Sequence, residues 1–150
     1  MGVGHVPARP FRQARQGDDV PGREHRGVGA PQLALTRDRR RLARFGEEIA
    51  ARFLVRRGAE VVGRNIIVGR GEIDVVAVVD GVLVAVEVKT IGVEALAGDP
   101  IDRISIDKLR KVRALAGRLA AATRRPVRVD FVGVKVDSDG VTVNWRTSVA

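Results

Sequence analysis

GEIDVVAVVDGVLVAVEVK, residues 71–89, is the stretch whose reading decides the fold. Two runs of β-branched and small apolar residues flank Asp80-Gly81. An Asp-Gly pair in that setting predicts a two-residue type I′ hairpin turn, because both turn residues take φ > 0. So short a loop fixes the register. Val79 opposes Val82, Val75 opposes Val86, Asp74 opposes Glu87 and Glu72 opposes Lys89. Directly opposed side chains have Cβ atoms roughly 4.5–5.5 Å apart, and like charges placed there repel. Asp74 against Glu87 is therefore a local cost, which a hard divalent cation between the carboxylates would remove. Side chains alternate along a strand, so Glu87 and Lys89 share a face and Val88 points the other way. The hairpin has a charged end suited to chemistry and an apolar end suited to packing.

Outward from the hairpin, the periodicity predicts a helix from about Asp38 to Arg57, with Leu42, Phe45, Ile49, Ala50, Phe53 and Leu54 as its apolar stripe and Gly58 as its stop. Glu47 falls about 20° from Leu54 around the helix, at the rim of that stripe, where it can point towards a sheet. The plainer alternative is an acid favoured by the helix dipole. Ala59 to Val68 reads as a short strand broken around Gly63-Arg64-Asn65, and Gly69-Arg70-Gly71 as a turn. Thr90 to Pro100 reads as a loop leading from the charged end. A second helix follows from about Ser105 to Thr123, with Ile106, Leu109, Val112, Ala116, Leu119 and Ala120 inward, Lys111 exposed and Lys108 near the boundary. Strands at Val127–Val136 and Val141–Thr147 close the chain. The intervening helix suits a right-handed crossover, so the strand from Val127 is expected parallel to the one ending at Lys89. The fold class is α/β: a mixed sheet flanked by helices, in the order α-β-β-β-α-β-β.

Residues 1–38 show no helical or strand period and read as a disordered basic tail, with residues 39–150 as the folded domain. His5 and His25 lie in that tail without a partner cluster and read as solvated side chains. The chain carries 27 basic and 18 acidic residues, a net charge of +9, which favours a polyanionic partner, nucleic acid first. Residues 1–41 contribute +5 of it, so the folded part is only mildly basic. The absence of cysteine excludes disulfides, thiolate metal sites and a cysteine nucleophile. No apolar run reaches the ~18–20 residues of a membrane span, and no secretory signal pattern opens the chain. A cytoplasmic protein without membrane attachment is expected. Five aromatic residues argue against single-strand binding by base stacking.

Asp74, Glu87 and Lys89 together suit phosphodiester hydrolysis. Carboxylates can hold Mg²⁺ or Mn²⁺, which activates water and clamps phosphate oxygens. A neighbouring lysine stabilises developing negative charge. The carbonyl of Val88 is a further candidate ligand, and Glu47 is a candidate through a metal-bound water. A metal-free salt-bridge cluster of Asp74, Lys89 and Glu87 is the alternative. Lys108, Lys111 and Arg70 are the candidate nucleic-acid contacts.

FGEEIAARFL (45–54), GRGEID (69–74), VAVEVKT (84–90) and VRVDFVGV (127–134) resemble the YraN-like family of bacterial proteins, placed in the PD-(D/E)XK nuclease superfamily beside Holliday-junction resolvases. The resemblance spans about residues 40–147. It implies a restriction-endonuclease-like fold and a metal-dependent endonuclease using Glu47, Asp74, Glu87 and Lys89, with Lys108 matching a recurrent lysine. Ile91 stands where the family often has Arg, which removes one candidate phosphate contact. The expected substrate is DNA, with branched or damaged DNA as candidates. Resolvases of the superfamily act as dimers, so a homodimer is a candidate assembly. Two other readings stay open: a nucleic-acid-binding module without turnover, and an interaction protein using its sheet edge.

Overall fold

The computed structural model describes residues 11–13, 32–92 and 97–147, with side chains from residue 38 onward. The elements are β1 (Phe11–Gln13), α1 (Gln32–Arg56), β2 (Glu60–Val68), β3 (Gly71–Val79), β4 (Val82–Ile91), a 3-10 turn (Pro100–Arg103), α2 (Ile106–Thr123), β5 (Val127–Asp137) and β6 (Gly140–Thr147). They form one sheet in the order β1-β6-β5-β4-β3-β2. The expected α-β-β-β-α-β-β order holds from α1 onward.

The Asp80-Gly81 turn takes φ of 50° and 79°, as a type I′ turn requires. The register that follows is the expected one, from Val79 against Val82 to Val75 against Val86. β4 and β5 pair in parallel from Leu83 with Val127 to Ile91 with Lys135, and α2 makes the crossover. β2 bulges between Val61 and Gly63.

Each face of the sheet carries its own core. On one, Ile49, Ala50, Phe53 and Leu54 of α1 meet Val75, Ala77, Val84, Val86, Val132 and Trp145. On the other, Val112, Leu115 and Ala116 of α2 meet Val76, Leu83, Ala85, Val129 and Phe131. Central strands buried on both faces lose the apolar–polar alternation, which is why the hairpin sequence is so uniformly apolar. α1 ends in a Schellman motif: Gly58 at φ 89° lets its own N–H reach the carbonyl of Val55 and the N–H of Ala59 reach that of Leu54. α2 starts at Ser105, whose hydroxyl accepts from the N–H of Lys108.

Several expectations are corrected. α1 begins at Gln32, six residues before Asp38, and β1 pairs with β6 within the stretch read as a tail. The rest of residues 1–31, with His5 and His25, lies outside the described residues. In α2, Ile106 is 58% exposed and Leu115 takes the expected inward place. The predicted loop from Thr90 is shorter: β4 runs to Ile91, and Pro100 already opens the 3-10 turn; residues 93–96 lie outside the described residues. Among the described residues no helix is long and apolar enough to cross a membrane.

One charged group is wholly internal. Asp130 of β5 accepts two hydrogen bonds of 2.8 Å from the guanidinium of Arg128 and one of 3.0 Å from the indole N–H of Trp145. Its oxygens are satisfied, which is the condition for burying a carboxylate at all.

Candidate metal and phosphodiester site

The β3–β4 ladder stops at Val75 and Val86, one pair short of Asp74 and Glu87. The β2–β3 ladder also lacks one pair, Asn65 with Asp74, between Arg64–Val75 and Ile66–Ile73. Asn65 sits at φ 51°, in the left-handed region. Ile73 packs in the α2-side core and Val75 in the α1-side core, although residues two apart in a regular strand share a face. The strand alternation therefore breaks at Asp74. Where backbone pairing ends, the carboxylate takes over: Asp74 Oδ2 accepts the N–H of Val88 at 2.8 Å.

Glu87 is 6% exposed and hydrogen-bonds the Asp74 side chain. Burial and the charge of Glu87 push the Asp74 carboxyl up to about 7, against which the Val88 N–H and Lys108 act. Burial raises Glu87 as well, and the hydrogen bond and charge of Lys108 oppose it. The ammonium of Lys108 lies 2.9 Å from Glu87 Oε1. Burial pulls Lys108 down, but its bond to Glu87 and the charges of Glu87, Asp74 and Glu72 hold it above its ordinary value. Lys108 thus caps the acid pair from α2, with its side chain still 41% exposed. Lys89 is half-buried and forms no ion pair among the described residues, leaving its ammonium available. The metal-free alternative with Lys89 as the bridging cation is replaced by Glu87–Lys108.

The expected opposition of Glu72 and Lys89 is absent from the β3–β4 ladder. Glu72 pairs with Ile67 of β2, and its Oε1 accepts from the amide of Asn65 at 2.9 Å. The same Asn65 nitrogen donates to Glu47 Oε2 at 3.0 Å, tying α1 to β3. Glu47 is near enough for its charge to raise Asp74, yet its carboxylate is engaged by Asn65. Gly46 sets this approach: a Cβ there would overlap the side chain of Thr90, so α1 lies against the end of β4. Sequence reasoning missed Asn65 and Gly46. The signals were an Asn inside an apolar strand, a residue tolerant of φ > 0, and a Gly inside a helix.

Among the described residues, no three acidic or histidine side chains converge into an all-protein cation cage. Asp74 and Glu87 still fit a divalent cation. They are two adjacent carboxyls raised first by burial, Asp74 also by the charge of Glu87, and Mg²⁺ is commonly held by one or two carboxylates with water and phosphate completing its shell. The Val88 carbonyl belongs to the residue whose N–H Asp74 already holds.

A cleft of about 720 Å³ opens between α1 and β2–β3, lined by neither Asp74 nor Glu87. Arg40, Arg41, Arg44 and Arg64 line it together with Glu47, Asn65 and Glu72. Lys111 and Arg70 are exposed, on α2 and in the β2–β3 turn, and neither lines the cleft.

The model of the uncharacterised protein family UPF0102 matches residues 46–134, which span α1's Gly46-Glu47, the hairpin, α2 and most of β5. A UPF0102 protein of Clavibacter michiganensis is 44% identical over 96 residues, covering 62% of this chain and 80% of the relative. One of Roseiflexus castenholzii is 41% identical, covering 68% and 85%. One of Streptomyces coelicolor is 40% identical over 121 residues, covering 77% and 92%. With the hairpin, the acid pair and its lysines inside the matched span, the chain belongs to the UPF0102 family, the YraN-like family.

Proposed function

We propose that the protein is a Mg²⁺- or Mn²⁺-dependent endonuclease that hydrolyses phosphodiester bonds of DNA. The observation that carries this reading is the buried contact of Asp74 with Glu87, with the Asp74 carboxyl pushed up to about 7. Two acids forced together at a ladder break are costly for the fold alone and useful for holding a cation. Asp74 and Glu87 would hold the ion, which supplies Lewis acidity and charge neutralisation at a phosphate. Asp74 is fixed in place by the Val88 N–H, which orients its carboxyl beside Glu87. Lys108 anchors Glu87 from the α2 side. The Lys89 ammonium, without an ion pair among the described residues and on the face of Glu87, suits the negative charge that develops as the ester bond breaks. Glu47, held by Asn65, stands at the mouth of the site and can orient a water.

The test is incubation of the full chain with covalently closed circular DNA, linear duplex, flap, four-way-junction and single-stranded DNA, in Mg²⁺, Mn²⁺ or chelator. Asp74→Asn, Glu87→Gln and Lys89→Ala proteins run alongside. Nicking of closed circles that needs metal and falls at least ~100-fold in all three variants is the expected result. Cleavage that survives the substitutions, or needs no metal, refutes the assignment. One observation favours a second reading, a binding module without turnover: Lys108 already supplies a cation to Glu87 at 2.9 Å. Intact DNA in metal, bound with salt-sensitive affinity, would favour that reading.

A further inference from the structure

Two sets of arginines in this fold stand apart from each other. Arg52, Arg110, Arg128 and Arg146 each pair with a carboxylate. Arg40, Arg41, Arg44 and Arg64 pair with none among the described residues, yet they converge on one cleft of about 720 Å³. Arg40 and Arg44 stand one helical turn apart on α1, and Arg41 lies three residues from Arg44, so the three spread along one flank of the helix. Arg64 faces them from β2. Of the three carboxylates in the same lining, Glu48 is paired with Arg52 and Glu47 and Glu72 accept from Asn65, so the four arginines leave the cleft net positive, a potential that an anion relieves. Guanidinium groups are also the side chains best shaped for bidentate contact with phosphate oxygens.

The cleft has a direction. Along α1 the arginines at 40 and 44 are followed by Glu47, which shares the lining with Asn65 and Glu72 and whose charge acts on Asp74 in the acid pair. A chain of phosphates lying on the arginines therefore leads to the Asp74–Glu87 contact. Phe45 is the one aromatic among the lining residues, and it is also packed against the α1-side core. Base stacking is thus not on offer, and the grip is on the backbone, without sequence preference.

We propose that the α1–β2 cleft, through Arg40, Arg41, Arg44 and Arg64, holds the phosphodiester backbone of the nucleic-acid strand that enters the site. The inference rests on the nuclease reading for its direction, and its test is independent of turnover. Binding of a fluorescein-labelled DNA duplex to the full chain is followed by anisotropy in chelator, across about 50–200 mM salt. The slope of log K against log salt is compared for wild type, Arg44→Ala, Arg64→Ala and Arg113→Ala. Arg113 is an exposed α2 residue away from the cleft. Removing one arginine–phosphate interaction lowers the slope magnitude by about 0.9. Arg44→Ala and Arg64→Ala are expected to show that decrease, Arg113→Ala is not, and Arg44→Lys and Arg64→Lys are expected to restore the wild-type slope. Slopes for the cleft variants equal to that of Arg113→Ala, or no DNA binding by wild type, overturn the proposal. Lowered slopes in a protein that never cuts DNA leave the cleft assignment standing and remove the nuclease reading. Metal-dependent cutting with unchanged slopes does the reverse.

Discussion

Replacing Asp74 by Asn is expected to stabilise this protein at pH 8 while removing the cation binding proposed for it. Asp74 titrates at about 7 in the fold against an ordinary value of 3.8, because burial and Glu87 disfavour its charge. Between those values the folded chain keeps a proton that the unfolded chain has released, so rising pH favours unfolding. The stability this group contributes is complete below about pH 4 and is lost as pH climbs through 7. At ~1.4 kcal/mol per pH unit, the loss is up to roughly 4 kcal/mol. An Asn carbonyl can still accept the Val88 N–H, and its amide can donate to Glu87, without carrying charge. In chelator, the two proteins should differ little near pH 4, and the variant should be more stable at pH 8 by up to roughly 4 kcal/mol. Urea unfolding followed by Trp145, the single tryptophan, reads this directly, since the ring is buried edge-on against Phe53. Adding Mg²⁺ at pH 8 at a hundredfold excess over Kd should return about 2.7 kcal/mol to wild type and nothing to the variant. A variant no more stable than wild type at pH 8, with Mg²⁺ stabilising both equally, would refute the reasoning that these acids are held together against their own repulsion.

Three further outcomes are expected. Gly46→Ala drives a methyl into Thr90, and overpacking of that kind costs about 1–3 kcal/mol; thermal unfolding should show the destabilisation, and adding Thr90→Ala should recover part of it. Arg128→Ala strips the guanidinium from the fully buried Asp130 and should cost about 3–5 kcal/mol in urea, much more than Arg110→Ala, whose pair with Asp107 is exposed. Asn65→Gly keeps the backbone free to hold φ near 51° but removes the bridge from Glu47 to Glu72. Its melting temperature should stay near that of Asn65→Ala or above it, because the Ala variant adds about 1–2 kcal/mol of left-handed strain, while both should lose kcat in the proposed DNA cleavage with little change in DNA affinity.

The hairpin, its register up to Val75–Val86, the parallel β4–β5 pairing and the two-faced core were all legible in the sequence, as were Asp74, Glu87 and Lys89 as neighbours at one end. These follow from local rules: a turn type that only certain residues adopt, a period of two or 3.6, and a crossover length that forces parallel pairing. Residues such as Glu47 could be placed on a helix rim but not given a partner. That depended on how closely α1 approaches β4, which a missing side chain at Gly46 decides. Lys108 was legible as a boundary residue of α2, yet its bond to Glu87 needed the helix docked across the sheet. Asn65 and the arginine cleft lie further still from the sequence, because they join α1 to β2 across the fold. By itself, then, the sequence determined the order of elements from α1 onward, though not β1 or where α1 begins, and which charges share a strand end. Tertiary packing alone decided which cation caps Glu87, how strongly burial raises Asp74 and which arginines remain unpaired, since desolvation and charge pairing depend on distances between segments that no local pattern encodes.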